Sequence, residues 1–365
     1  MHCSHRIDQL SRGVLLLTIG AVGGLGATAL DIPAGMIIGA LLASGVYRLA
    51  GGDPGGWRQP LGFVGRLILG AYIGASFGPD VIDPLKSAIL PMTVLITAMV
   101  AAGLGLGWAL CRTPGVNLPT GLLSSLPGGL PAMAAVADEL DADATVVATI
   151  HFFRLLSILL LVPVLVPLLI AQSDSAAALR ETVAPVGIPT TVAALGMACV
   201  GGWLANRARI PTGDLIGGIV TVAGLNLAGL SLGPLHPGLR EVAMLLTGVA
   251  IGTELSRDSL HTLRRVVLNA AVNIVAMLTL GLLLGWLLYL TTPLDLATAL
   301  LSAVPGGAAT MPVIAHHLGG DIRLVAALHL TRQIVIFIIL PPVLSLILRR
   351  SRYAPSSVPQ REVTG

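Results

Sequence analysis

Charge is scarce in this sequence of 365 residues: Asp, Glu, Lys and Arg together make up 11% of it, against about 25% in soluble domains. A chain with so little charge cannot cover a water-facing surface of ordinary polarity, and no segment reads as an attached soluble catalytic domain. Aromatic residues are also few, at 4%, and the arginines are scattered through short loops. The net charge of +3 therefore does not make a nucleic-acid module, and no nucleic-acid partner is expected. The three cysteines, Cys3, Cys111 and Cys199, have no CxxC spacing, which leaves no basis for a disulfide framework, zinc or iron–sulfur site. No metal, cofactor or catalytic residue is expected, and the chain does not read as an enzyme.

What remains is lipid-soluble. Apolar residues make up 55% of the chain and mean hydropathy is +0.89. Runs such as Ala88–Leu110 and Val267–Leu290 are predominantly apolar and carry no charged residue over about the 20 residues a helix needs to span a bilayer, whereas a barrel strand would alternate over about ten. The fold class predicted is all-α integral membrane. The 44 glycines and 24 prolines are tolerated in membrane helices and predict broken ones. The N-terminus, with His5, Arg6 and Arg12 before the apolar run Val14–Leu30, imitates a signal peptide, but it belongs to a repeat and is expected to be retained.

Sliding the sequence against itself by 178 residues lays Ser124, Pro127, Gly128, Gly129 and Met133 on Ser302, Pro305, Gly306, Gly307 and Met311. Asp143, His151, Arg154 and Pro163 fall on Asp321, His329, Arg332 and Pro341. Across the 44 positions of Thr120–Pro163 there are 17 identities, well above the tenth or so expected by chance in this composition. The chain therefore divides into a first membrane repeat (1–171), a polar join (172–189), a second repeat (190–348) and a disordered C-terminal tail (349–365). Each copy holds five or six hydrophobic segments, roughly 13–30, 33–50, 61–78, 88–110, 119–138 and 144–170 in the first.

Loop arginines predict which way the copies face. In the first copy they lie at Arg6, Arg12, Arg48, Arg58 and Arg112; in the second they shift to the opposite set of loops, at Arg207, Arg209, Arg257, Arg264 and Arg265. The swap predicts inverted repeats, a plan in which two halves supply mirror-related faces to a central site. Six crossings per copy would leave the copies parallel, so one segment per copy must fail to cross. The candidates are a re-entrant PGG segment, Leu118–Leu140 with its partner, or a short interfacial first segment. On this reckoning Arg349, Arg350 and Arg352 fall outside, against the inverted arrangement.

Two motifs sit deep in apolar spans. Pro127-Gly128-Gly129 and Pro305-Gly306-Gly307 should interrupt helices, because proline removes a donor and glycine permits other dihedrals. The freed carbonyls and amides must be buried in protein or line a wet cavity; the alternative is a plain structural kink. His151-x-x-Arg154 and His329-x-x-Arg332 place imidazole and guanidinium on one helix face, with Arg154 about 16 Å beyond Asp143 along its helix, near mid-bilayer. A central arginine needs a partner. Either Arg154 and Arg332 staple the broken segments through backbone carbonyls, or they hold an anionic substrate while His151 and His329 exchange a proton. Ser124, Ser302 and Thr310 could add hydroxyls. These residues form the candidate substrate-binding set. Gly70-x-x-x-Gly74 and Gly248-x-x-x-Gly252 resemble a close-packing motif, predicting internal helix contacts and leaving a homodimer open. His316-His317 stands where the first copy has Asp138-Glu139, and its adjacent side chains do not make a metal site.

The duplicated pattern of Ile32–Ala43, Leu69–Gly74, Leu126–Met133 and His151-Phe-Phe-Arg154 resembles the bacterial AbrB family over nearly the whole chain. That resemblance implies a multi-pass protein of the bacterial inner membrane, grouped with cation/proton antiporters and anion transporters, with unwound crossing helices at the PGG motifs. Family members are often labelled ammonia monooxygenase or regulator of gene expression. The dispersed histidines do not supply the clustered copper or iron ligands an oxidoreductase needs. A buried aspartate pair beside the break, as in sodium/proton antiporters, is also lacking. The expected function is secondary transport of a small organic or anionic solute with proton coupling as an option, the alternative being a membrane-embedded regulator acting indirectly on gene expression. The expected partners are a small-molecule solute and membrane lipid.

Overall fold

The computed structural model describes residues 2–128, 133, 137, 140–170, 187–210, 212–230, 232–233 and 235–352, and these are α-helical apart from turns. In the first half the helices are α1 (His2–Ala29), α2 (Gly35–Leu49), α3 (Arg58–Ala75), α4 (Ile82–Leu110), α5 (Leu118–Ser125) and α6 (Ala144–Ile170). The second half supplies α7 (Ile188–Arg207), α8 (Gly213–Leu227), α9 (Pro237–Gly252), α10 (Arg257–Thr291), α11 (Leu296–Ala303), α12 (Met311–His317) and α13 (Ile322–Arg352). Among the described residues, six helices are long and apolar enough to cross a membrane, including Pro79–Leu110, Ala144–Ile170 and Val266–Thr291. Their exposed side chains are largely Leu, Ile and Val, such as Leu90, Val164 and Leu283, the surface lipid requires. This is a multi-pass membrane protein.

Backbone details recur at the 178-residue offset. Asp31 and Arg209 both have φ of 56°, and Ala34 and Thr212 have φ of 55° and 52°. A left-handed non-glycine residue is uncommon, so its recurrence at two matched places marks equivalent turns before α2 and α8.

The equivalent helices α3 and α9 run in opposite directions. Arg58, at the start of α3, pairs with Glu254, just past the end of α9, at 3.1 Å. Likewise Arg257 at the start of α10 donates to the carbonyl of Leu49 at the end of α2 at 3.1 Å. On the other face Asn226, ending α8, donates to the carbonyl of Ala75, ending α3, at 2.9 Å. The halves are therefore inverted with respect to one another.

The hairpin geometry resolves the count of crossings. Asn117, before α5, donates from Nδ2 to the carbonyl of Asp141 at 2.8 Å, and the amide of Asp143 donates to Thr120 Oγ1 at 2.8 Å. The segment thus returns to the face from which it entered. In the second half the amide of Asp321 donates to Thr298 Oγ1 at 2.7 Å, closing the equivalent loop on the opposite face, where Arg323 also pairs with Asp80 at 2.6 Å. If α1–α4 and α6 and their counterparts cross and each hairpin turns back, the start of α1 and the end of α13 fall on the same face. Arg349, Arg350 and Arg352, at the end of α13, would therefore join Arg12, Arg48, Arg58, Arg112, Arg207, Arg209, Arg257 and Arg264. An even number of crossings would place these arginines on the arginine-rich face rather than outside, which removes the objection to the inverted arrangement. Helix α13 also continues through Arg352, into the stretch expected to be disordered; the rest of that tail and most of the join lie outside the described residues.

Glycines let the halves approach. A Cβ at Gly70 would lie 2.8 Å from the carbonyl oxygen of Leu215 in α8, and one at Gly248 would lie 2.5 Å from that of Ile37 in α2. The two spaced glycine pairs thus seal α3 on α8 and α9 on α2, as internal contacts. These helices make one bundle with α1 and α7; α4–α6 and α10–α13 form a second, joined to the first by buried residues including Ile37, Leu69, Ile158, Leu300 and Met311.

Candidate functional site

Helix α5 is stopped at Leu126, whose ψ of 143° is extended, and α11 at Val304, with ψ of 134°. Each stop precedes a proline, which disfavours helical backbone in the residue before it. An eight-residue helix rises only about 12 Å, so each hairpin reaches roughly the middle of the hydrocarbon layer. Unpaired carbonyls at that depth find no water in lipid.

The HxxR pairs meet those carbonyls. Arg154 donates from NH1 to the carbonyl of Leu126 at 3.0 Å and, at longer range, to that of Ser125 at 3.5 Å. Its NH2 reaches the carbonyl of Gly128 at 3.4 Å and His151 Nδ1 at 2.8 Å, while His151 Nε2 lies 2.9 Å from the carbonyl of Leu123. Arginine has no acceptor, so Nδ1 must accept and Nε2–H must donate; the imidazole is neutral. The second half repeats this: Arg332 donates to the carbonyl of Ala303 at 2.9 Å and to His329 Nδ1 at 2.8 Å, and His329 Nε2 donates to the carbonyl of Leu301 at 2.8 Å. The staple is therefore present in both halves. Each histidine has both nitrogens engaged, so taking up a proton requires that its arginine withdraw.

Stapling does not exhaust the arginines. Both are buried, with 4% exposure. Among the described residues no carboxylate lies within ion-pair distance of either guanidinium, and neither Nε–H has an acceptor. They approach from opposite faces, each eleven positions into α6 or α13. Among the described residues, both guanidinium groups thus have carbonyl and imidazole acceptors and no counter-ion.

The other expected residues divide. Pro127 is buried at the hairpin turn, and Gly306 packs against Met311 and Ile158. Gly307 has φ of 97°, a conformation glycine permits at little cost; Pro305 is buried beside it. Gly129 lies outside the described residues. Ser302 spends its hydroxyl on the carbonyl of Thr298 at 2.6 Å and Thr310 on that of Gly306 at 2.5 Å, so both brace the hairpin rather than face a ligand. The Ser124 hydroxyl, in contrast, is buried without a partner.

Asn273 was not singled out by sequence. It is 2% exposed, donates from Nδ2 to Ser125 Oγ at 2.6 Å, and leaves Oδ1 buried without a partner. The signal was its isolation: an amide inside the apolar run of α10, at the position Leu95 holds in the first half.

The halves also differ at their surfaces. Near the arginine-rich face Asn269 Nδ2 donates to Thr113 Oγ1, tying α10 to α4. The equivalent positions on the opposite face are Pro91 and Thr291, which line a cavity of about 330 Å³ between the same two helices, with Leu95 also in its wall. Met99, one turn deeper on α4, touches Arg332. The two ends of the α4–α10 contact thus differ: one is tied by a hydrogen bond, and the other holds an apolar groove whose wall includes the exposed Leu90 and Leu287.

The family model described as "Transition state regulatory protein AbrB" matches residues 36–348. Similar proteins include "Uncharacterized protein YhjN" of Bacillus subtilis (strain 168), 24% identical over 92% of this chain and 93% of that protein. "Putative regulator AbrB" of Escherichia coli (strain K12) is 26% identical over 93% of this chain and 97% of its own length. With the family model matched over most of its length, the chain belongs to the AbrB family.

Proposed function

We propose that this protein is a secondary transporter of the bacterial inner membrane that carries a small organic anion past Arg154 and Arg332. One observation carries the reading: two buried guanidinium groups, brought to mid-membrane from opposite faces, have no carboxylate partner among the described residues. A buried charge without a counter-ion is costly, and a carboxylate solute would supply the missing charge while using N–H groups the staple leaves free. Inverted halves would give each face an equivalent route to that point. The arginine-rich face would be cytoplasmic by the positive-inside rule. A proton-coupled cycle would need His151 or His329 to be released by its arginine when the solute takes the guanidinium.

The name of the Escherichia coli relative supports a second reading, a regulator; a carrier that controls the level of a signalling solute would act so without touching nucleic acid. Purified protein in liposomes, assayed for uptake of radiolabelled glycolate, lactate, pyruvate and succinate, tests the first reading. Saturable uptake above empty liposomes, weakened by Arg154→Lys in a folded variant, is expected. Folded protein that moves none of the four contradicts it.

A further inference from the structure

We infer that Asn273 and Ser124 make the site select hydroxycarboxylates, with Arg154 taking the carboxylate and Asn273 Oδ1 accepting the hydroxyl proton of the solute. The inference rests on the carrier reading above. Its basis is a difference between the halves that the staple does not require. The hairpin of the second half has Ala303 where the first has Ser125, and α4 has Leu95 where α10 has Asn273; His329 and Arg332 still hold their hairpin through Leu301 and Ala303. The polar additions are therefore dispensable for building a hairpin.

They are also poorly satisfied. Asn273 Nδ2 is fixed by Ser125 Oγ at 2.6 Å, which orients the amide and leaves Oδ1 with no donor, and Ser124 Oγ is likewise alone. Both residues are at least 98% buried. Leaving such atoms unpaired in a membrane interior costs stability, a cost that a ligand carrying a donor would remove. Asn273 and Arg154 are tied to one place, because the Ser125 carbonyl is 3.5 Å from Arg154 NH1 while its hydroxyl holds Asn273. Anion-binding donors and an orphan acceptor thus lie on either side of one residue.

The donor on the solute should be neutral. An ammonium group would meet Asn273 Oδ1 but would add a third positive charge beside Arg154 and Arg332, with no acid among the described residues to offset it. A hydroxyl carries a proton without charge. A 2-oxo acid offers the carboxylate but no donor, so it leaves Oδ1 unpaired.

Competition in proteoliposomes containing the full chain tests this, with lactate, pyruvate and alanine as probes. Wild-type protein should favour lactate over pyruvate by about ten- to a hundredfold in kcat/KM, as loss of one buried hydrogen bond implies, and should take alanine least. Asn273→Leu, which copies the residue of the other half, should bring the lactate-to-pyruvate ratio close to one, and Ser124→Ala should lower it by a smaller factor. If wild-type protein transports both acids with equal kcat/KM, or favours alanine, the inference is overturned while the carrier reading stands. The wild-type ratio decides the matter even if Asn273→Leu does not fold. If none of the three is transported while glycolate or succinate is, the inference is overturned and the carrier reading stands; if glycolate and succinate are not transported either, the carrier reading fails and the inference falls with it.

Discussion

Arg154 and His151 hold each other and the same hairpin: NH2 of the arginine donates to Nδ1 of the histidine at 2.8 Å, while His151 Nε2 reaches the carbonyl of Leu123 at 2.9 Å. Removing either side chain uncovers backbone oxygens that lipid cannot satisfy. Arg154→Gln should destabilise the detergent-solubilised protein by at least about 2 kcal/mol, since it frees the carbonyls of Leu126 and Ser125 at once. Arg154→Lys should fall between, because an ammonium on a flexible stem cannot span several carbonyls as a planar fork does. Thermal unfolding of the purified variants measures the order.

Inversion predicts which loops share a face. Single cysteines at Arg58, Arg257 and Arg352, in a background lacking Cys3, Cys111 and Cys199, should react with an impermeant maleimide from one side of the membrane. A cysteine at Asp80 should react from the other. Labelling of intact cells and of inverted vesicles reads both sets.

The Asn269–Thr113 tie predicts a bias in the resting state. Asn269→Ala should raise the accessibility of the site from the arginine-rich face severalfold, because one exposed hydrogen bond contributes about 0.5–1.5 kcal/mol and a shift of that size moves a two-state population by a comparable factor. Labelling of a cysteine at Ser125 reports the change.

Glu254 lies outside the spans, and burial raises its carboxyl pKa above the ordinary value while Arg58 opposes the rise. A raised folded-state pKa means that proton binding favours the fold: the contribution is complete below the unfolded pKa and is lost as pH climbs through the folded one. Arg58→Gln removes the partner of the ionised form, so its stability deficit should be largest, up to about 1 kcal/mol, at neutral pH. The deficit should shrink toward pH 5 as Glu254 takes a proton. Melting curves of the two proteins across pH 5–8 make the comparison.

The spans were legible because lipid demands long apolar helices, and the arginines stood out because charge is rare in such a chain. The hairpins were harder to read. Leu118–Leu140 is long enough to cross, and only the hydrogen bonds of Asn117 with Asp141 and of Thr120 with Asp143 reveal that it turns back. That single turn changes the side on which Arg349 to Arg352 emerge. Ser302 and Thr310 looked equivalent to Ser124 as ligands, yet a hydroxyl in a helix can return to a carbonyl three or four residues earlier, as both do. Asn273 carries no signal in an alignment of the halves, because it stands where the first half has Leu95 and matters as a difference.

Alternating exposure of the hairpin tips is the claim on which the carrier depends. A cysteine at Ser125, probed with a small membrane-impermeant methanethiosulfonate in right-side-out and in inverted vesicles, tests it directly. Reaction from both sides, with glycolate slowing each rate, is the predicted result. Reaction from one side alone, or from neither, in protein that remains folded would contradict it.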